Sequence, residues 1–105
     1  MGKPSPEVDI ARNIKTVEWL KAELVSGVGI LLKNIYRGGE EAVLDALSGV
    51  VVTCYVLARR LGLSFAKVDA RVEAKIRLNI TDGHETEKWY GDLSSLLRYM
   101  EDRPR

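Results

Sequence analysis

Apolar residues recur at steps of three and four through most of the chain. From Ile10 they fall at Ile14, Val17, Leu20, Leu24, Val28, Leu31 and Ile35, one stripe along a helix of about seven turns. Asp9 suits the N-cap and Gly38-Gly39 the stop, and Gly27 and Gly29 each weaken the helix between them, by up to ~1 kcal/mol relative to Ala, which leaves room for a kink or break there. A second helix is expected from Glu40 to about Leu61. Two acids suit its positive start, Arg59-Arg60 its end and Gly62 its exit. A third runs from about Ser64 to Leu78 with Phe65, Val68, Val72 and Ile76 on one face. After a turn at Thr81-Asp82-Gly83, a last helix carries Trp89, Leu93, Leu96, Leu97 and Met100 on one stripe. Val50-Val51-Val52 is β-prone, but it lies inside a helical period, and no segment alternates cleanly. The expected fold class is therefore all-α, about four helices in a bundle. Residues 10–100 form a single domain, between a flexible N-terminus at 1–9 and a frayed tail at 101–105.

The second helix changes the picture, because Val43, Leu44, Leu47, Val50, Val51, Val52, Cys54, Val56 and Leu57 cover every direction. Such a helix is central or covered by a partner. Four helices from 105 residues do not easily surround it, so a homodimer, or a dimer of dimers, is expected to complete the core. At 46% hydrophobic and 30% charged, the composition excludes disorder. Sixteen basic residues against fifteen acidic ones give +1, which argues against nucleic acid as a partner. The lone Cys54 cannot form an internal disulfide and reads as a small buried thiol. The stretch Ala42–Ala58 is short for a membrane span and contains Asp45, and Met1–Pro6 lacks the apolar core of a signal peptide. No membrane is expected, and a reducing, cytoplasmic location.

Asp45 is the outlier. A carboxylate near the start of an apolar helix costs several kcal/mol if buried alone, so it is paired, metal-bound or at the edge of the burial. Glu41 lies one turn earlier on the same face, where like charges repel unless a divalent cation binds between them. The first helix offers Glu23, within a string, Glu23-Leu-Val-Ser-Gly27, that resembles Asp45-Ala-Leu-Ser-Gly49. Small residues there leave room for a metal and its waters. Oxygen ligands suit Mg²⁺, or Mn²⁺ in its place, better than zinc. The plainer readings stand beside this one. Glu40 and Glu41 favour a helix start whatever else they do, Ser-Gly pairs permit close helix crossing, and Asp45 has an arginine as an alternative partner. On the third helix Lys67, Arg71, Lys75 and Asn79 form one i, i+4 row, able to hold phosphates or simply to face solvent. His84 is a lone, exposed loop histidine, and helical spacing puts Trp89 in the core. With no nucleophile elbow, Walker loop or GxGxxG, those enzyme classes are excluded.

The order of these features resembles the MazG-like branch of the all-α nucleotide pyrophosphohydrolases. The likeness rests on an acid in the first helix and on Glu40-Glu-Ala-Val-Leu-Asp45 opening the second. It continues through Tyr55-Val-Leu-Ala-Arg-Arg-Leu-Gly62-Leu-Ser-Phe65, Lys75-Ile-Arg-Leu-Asn79 and His84-Glu-Thr-Glu-Lys-Trp-Tyr-Gly-Asp92. The resemblance implies a helical fold in which an ExxE and an ExxD motif hold Mg²⁺. Water then attacks a nucleoside triphosphate to give monophosphate and pyrophosphate. Residue by residue, Glu23 matches the first motif and Asp45 the second, with Glu41 one place early. Ser26 and Ala42 stand where further acids are expected. Glu18, Asp69, Glu87 and Asp92 are the acids available to replace them. Lys75 and Asn79 match the phosphate-side K-x-x-x-N. The two implied functions are a Mg²⁺-dependent pyrophosphohydrolase and a catalytically degenerate helical dimer that binds nucleotides or proteins.

Overall fold

The computed structural model describes residues 5–104, which form five helices and, among the described residues, no strand. The all-α expectation holds. The helices group into two compact units that divide between Phe65 and Ala66.

The first unit is an antiparallel hairpin of α1 (Pro6–Arg37) and α2 (Glu40–Arg60). Helix α1 starts earlier than expected. Ser5 rather than Asp9 is the N-cap, its hydroxyl accepting from the Val8 N–H at 3.3 Å, and Pro6 opens the first turn with its φ preset. Of the N-terminal segment expected to be flexible, residues 1–4 lie outside the described residues and Pro6 to Asp9 are helical. Neither Gly27 nor Gly29 breaks α1. Gly27 instead lets α2 approach, since a Cβ there would stand 3.3 Å from the Val50 side chain. Gly38 (φ 79°) and Gly39 (φ 114°) turn the chain in two residues, a conformation that side chains disfavour. At the far end the Leu63 N–H reaches the Ala58 carbonyl and the Gly62 N–H reaches that of Arg59, a Schellman turn at Gly62 (φ 89°). The Arg59 guanidinium sits 5.0 Å from the centre of the Phe65 ring, which also meets Tyr55 edge-on.

Three contacts set the register of the hairpin. The Asn34 amide donates to the Ala42 carbonyl (3.0 Å), Gly27 lies opposite Val50, and the Asn13 amide donates to the Arg60 carbonyl (3.0 Å). The facing rows are half-buried: Val17, Leu24, Leu31 and buried Leu20 on α1, and Val43, Ala46, Val50, Thr53 and Leu57 on α2. Away from this seam most of the hairpin is exposed, with buried Ala58 and half-buried Tyr55 near the end of α2 the exceptions, and Cys54, expected inside, is exposed. Helix α2 is long and apolar enough to cross a membrane (mean hydropathy 1.7), yet α1 runs beside it with Lys15, Glu18, Lys21, Glu23 and Lys33.

The second unit holds α3 (Phe65–Thr81) from Ala66 on, α4 (Glu85–Tyr90) and α5 (Asp92–Asp102), with Ile76 and Met100 buried. The expected last helix is two, parted by Gly91 in the left-handed region (φ 67°). The break carries Trp89 out of the expected apolar stripe, and it is 69% exposed. His84 caps α4, its Nδ1 accepting from the Thr86 N–H at 3.2 Å. The tail is ordered further than expected: α5 reaches Asp102, Glu101 pairs with Arg77 (2.8 Å) and Arg103 with Asp69 (3.5 Å).

Gly91 offers α5 no capping side chain, so Glu87 reaches forward to do it. Its carboxylate accepts from the N–H and from the hydroxyl of Ser94, in the first turn of α5. The Ser94 hydroxyl first, and its N–H second, hold the Glu87 carboxyl below its ordinary range. A lowered carboxyl stabilises the fold above its unfolded pKa and loses that contribution as pH falls through the folded value. Glu87→Gln is therefore expected to lower the melting temperature at neutral pH, the gap closing as the solution is acidified through the carboxylate range. A gap that stays constant down to acid pH would show that the charge on Glu87 does not matter.

Candidate functional site

The candidate metal residues Glu23, Glu41 and Asp45 all lie in the first unit, exposed on the hairpin. Among the described residues none of the three makes an ion pair or side-chain hydrogen bond. Of the readings open for Asp45, the arginine partner is thus absent there, and the residue sits at the edge of the burial. Each seam residue of α2 has an outer neighbour one position earlier, and Asp45 precedes Ala46 in that way. Glu23 likewise precedes Leu24 on α1. In an antiparallel pair these two flanks fall on the same side, so Glu23 and Asp45 share one side of the hairpin.

They do not share a height. With Gly27 opposite Val50 and Asn34 opposite Ala42, Asp45 is level with residues 31–32 of α1. Glu23 therefore lies about eight residues lower, roughly 12 Å along the hairpin axis at the helical rise. Glu41 and Asp45, one turn apart on α2, are separated by about 6 Å along the axis. Accordingly, no group of three His, Cys, Asp or Glu side chains that could hold a metal ion forms among the described residues. The three acids do not fit one ion within the hairpin. Glu41 and Asp45 alone fit Mg²⁺, which keeps several waters and is commonly bound by one or two carboxylates together with substrate phosphates. Glu41 also serves the helix: Gly39 provides no side-chain cap, and Glu40 and Glu41 supply negative charge to the first turn of α2.

The acids available as replacements are mostly engaged. Glu18 pairs with Lys21 at 2.9 Å, Asp69 with Arg103, and Glu87 caps α5, while Asp92 is exposed at the start of α5. In the second unit, Lys75 and Asn79 lie one turn apart on the exposed side of α3, following Arg71. That unit also contains a cavity of about 480 Å³, lined among others by Asp69, Glu73, Met100 and Arg103. Sequence reading missed it. The i, i+4 spacing of Asp69 and Glu73 was visible, but Arg103 belonged to a tail expected to fray.

The MazG-like family matches the chain over residues 10–93, from the second turn of α1 into the start of α5. The chain belongs to the MazG-like family. No curated protein and no solved structure matches it. The helical fold and the family assignment agree, and the MazG-like stretch takes in Glu23, Glu41, Asp45, Lys75 and Asn79.

Proposed function

We propose that this MazG-like chain binds nucleoside triphosphates and hydrolyses them to monophosphate and pyrophosphate, with Mg²⁺ or Mn²⁺ held by Glu41 and Asp45. The observation that carries the reading is this pair of exposed carboxylates, one turn apart, in a chain of this family. Two carboxylates without a basic partner leave their charge free for a cation arriving with the phosphates. A divalent ion there supplies Lewis acidity to the attack of water on the phosphate chain. Lys75 and Asn79, in the second unit, offer a point charge and an amide donor, and the family resemblance implies for them a role towards phosphate. Glu23 stands outside the set. A reducing, cytoplasmic setting, in which Cys54 stays a thiol, belongs to the same proposal.

A second reading is favoured by the scatter of the acids, since no three converge among the described residues. It is a catalytically degenerate helical protein that binds nucleotides or other proteins. Incubation with ribo- and deoxyribonucleoside triphosphates in Mg²⁺ or Mn²⁺ separates the two. Monophosphate and pyrophosphate are followed together, with Asp45→Asn as the control. Paired release that the substitution removes establishes the hydrolase. Silence from folded protein across the panel leaves the degenerate reading.

A further inference from the structure

We propose that the cavity between α3 and the end of α5 binds a small zwitterion, an α-amino acid with an apolar side chain.

The cavity measures about 480 Å³, and its lining belongs to the second unit. That volume falls within the roughly 300–1,000 Å³ of small-molecule sites. Two features of the sequence open it. Ala66 and Ala70, one turn apart on α3, have side chains too short to fill the space. Arg77 with Glu101 (2.8 Å) and Asp69 with Arg103 (3.5 Å) then join α3 to the end of α5 through long side chains.

The class of ligand follows from the lining. Met100, 8% exposed, supplies an apolar wall together with the two alanines. Charges of opposite sign stand on different segments: half-buried Asp69 and Glu73, one turn apart on α3, and Arg103 just beyond α5. A simple amine entering here meets the Arg103 guanidinium, and a simple acid meets two carboxylates. A molecule with both charges a few Å apart suits both, its ammonium on Asp69 and Glu73 and its carboxylate on the Arg103 fork. Arg103 donates to Asp69 from Nη2. A guanidinium has five N–H donors and an ionised carboxylate about four acceptor sites, so contacts within the protein leave capacity for a ligand. The apolar side chain of the amino acid then lies against Met100. Asp69 and Arg103 are 35% and 43% exposed, which opens the site to solvent without a movement of either helix. Glu41 and Asp45 belong to the first unit, so this site lies beyond the proposed hydrolysis and does not rest on it.

The test uses the full chain with carbon-13 in its methionine methyl groups. There are two methionines, Met1 and Met100, and Met100 lines the cavity. The probes are L-leucine, 3-methylbutylamine, which is leucine without its carboxylate, and 4-methylpentanoate, which is leucine without its amine. Leucine is expected to shift the Met100 signal saturably, with a Kd on the order of 1 mM for so small a ligand. Each analogue is expected to bind at least about tenfold more weakly, and Arg103→Gln and Glu73→Gln each to weaken leucine by a similar factor. Arg103→Gln removes only a half-exposed ion pair and is expected to fold. If either variant does not fold, the three probes on the unmodified chain decide. A Met100 signal unmoved at about 10 mM leucine overturns the proposal. So does a shift that survives both substitutions. A shift given as readily by one of the analogues overturns recognition of two charges and assigns the cavity to an amine or to an acid instead. No readout involves a nucleotide, so failure here is distinct from failure of the proposed hydrolysis.

Discussion

Glu41→Gln and Asp45→Asn are each expected to lower metal-dependent pyrophosphate release about a hundredfold, while Glu23→Gln leaves it within severalfold of the unmodified chain. The asymmetry comes from the register. Asn34 against Ala42 and Gly27 against Val50 place Glu23 roughly 12 Å from the height of Asp45, beyond the reach of two carboxylates to one ion. Within the Glu41–Asp45 pair, losing either charge leaves a single carboxylate, and affinity for a hard cation falls with the charge count. The expected signature includes metal dependence: Mg²⁺ should raise the melting temperature of the unmodified chain and of Glu23→Gln, and leave that of Asp45→Asn unmoved. Equal losses from all three substitutions would mean that the acids act together after all, and would overturn the argument from height.

The largest effect on stability is expected at Leu20. It is 5% exposed, in the middle of the α1 seam row, and is the most buried side chain of the first unit. Leu20→Ala removes that packing and leaves a void between helices held at a fixed approach by Gly27, at a cost of about 3 kcal/mol in chemical denaturation. Tyr36→Ala, at a residue 92% exposed, is the matched control and should change stability by less than about 0.5 kcal/mol. A cost at Leu20 no larger than at Tyr36 would show that the seam does not hold the hairpin together.

The helical period was legible wherever apolar spacing ran unbroken. Leu20, Leu24 and Leu31, together with Val43, Val50 and Leu57, gave α1 and α2 their type and nearly their limits. The misjudged ends were decided by single polar atoms and by backbone conformations. Asp9 was expected as the cap, whereas Ser5, followed by Pro6 at the first helical position, caps α1 four residues earlier. Gly91 in the left-handed region splits a stripe whose spacing fits one helix, and Trp89 leaves the core with it. Gly27, read as a weakness, is where α2 comes close. For the candidate site, residue types were legible and heights were not. The matching strings after Glu23 and Asp45 suggested a common site, but a two-residue turn between antiparallel helices puts matching strings at different levels. That offset follows from the loop length and the seam register, which no local pattern contains.

The Gly38-Gly39 connection also bears on how the hairpin assembles. Because it is so short, sequence separation across the seam grows steadily with distance from the turn. The Asn34–Ala42 bond spans 8 residues and the Asn13–Arg60 bond spans 47. Each doubling of a closed loop adds about 0.6 kcal/mol of chain entropy, and contacts already made shorten every loop still to close. Chain entropy thus favours closing the seam from the glycines outward, and from an open chain the Asn13–Arg60 contact is the costliest of the three to close.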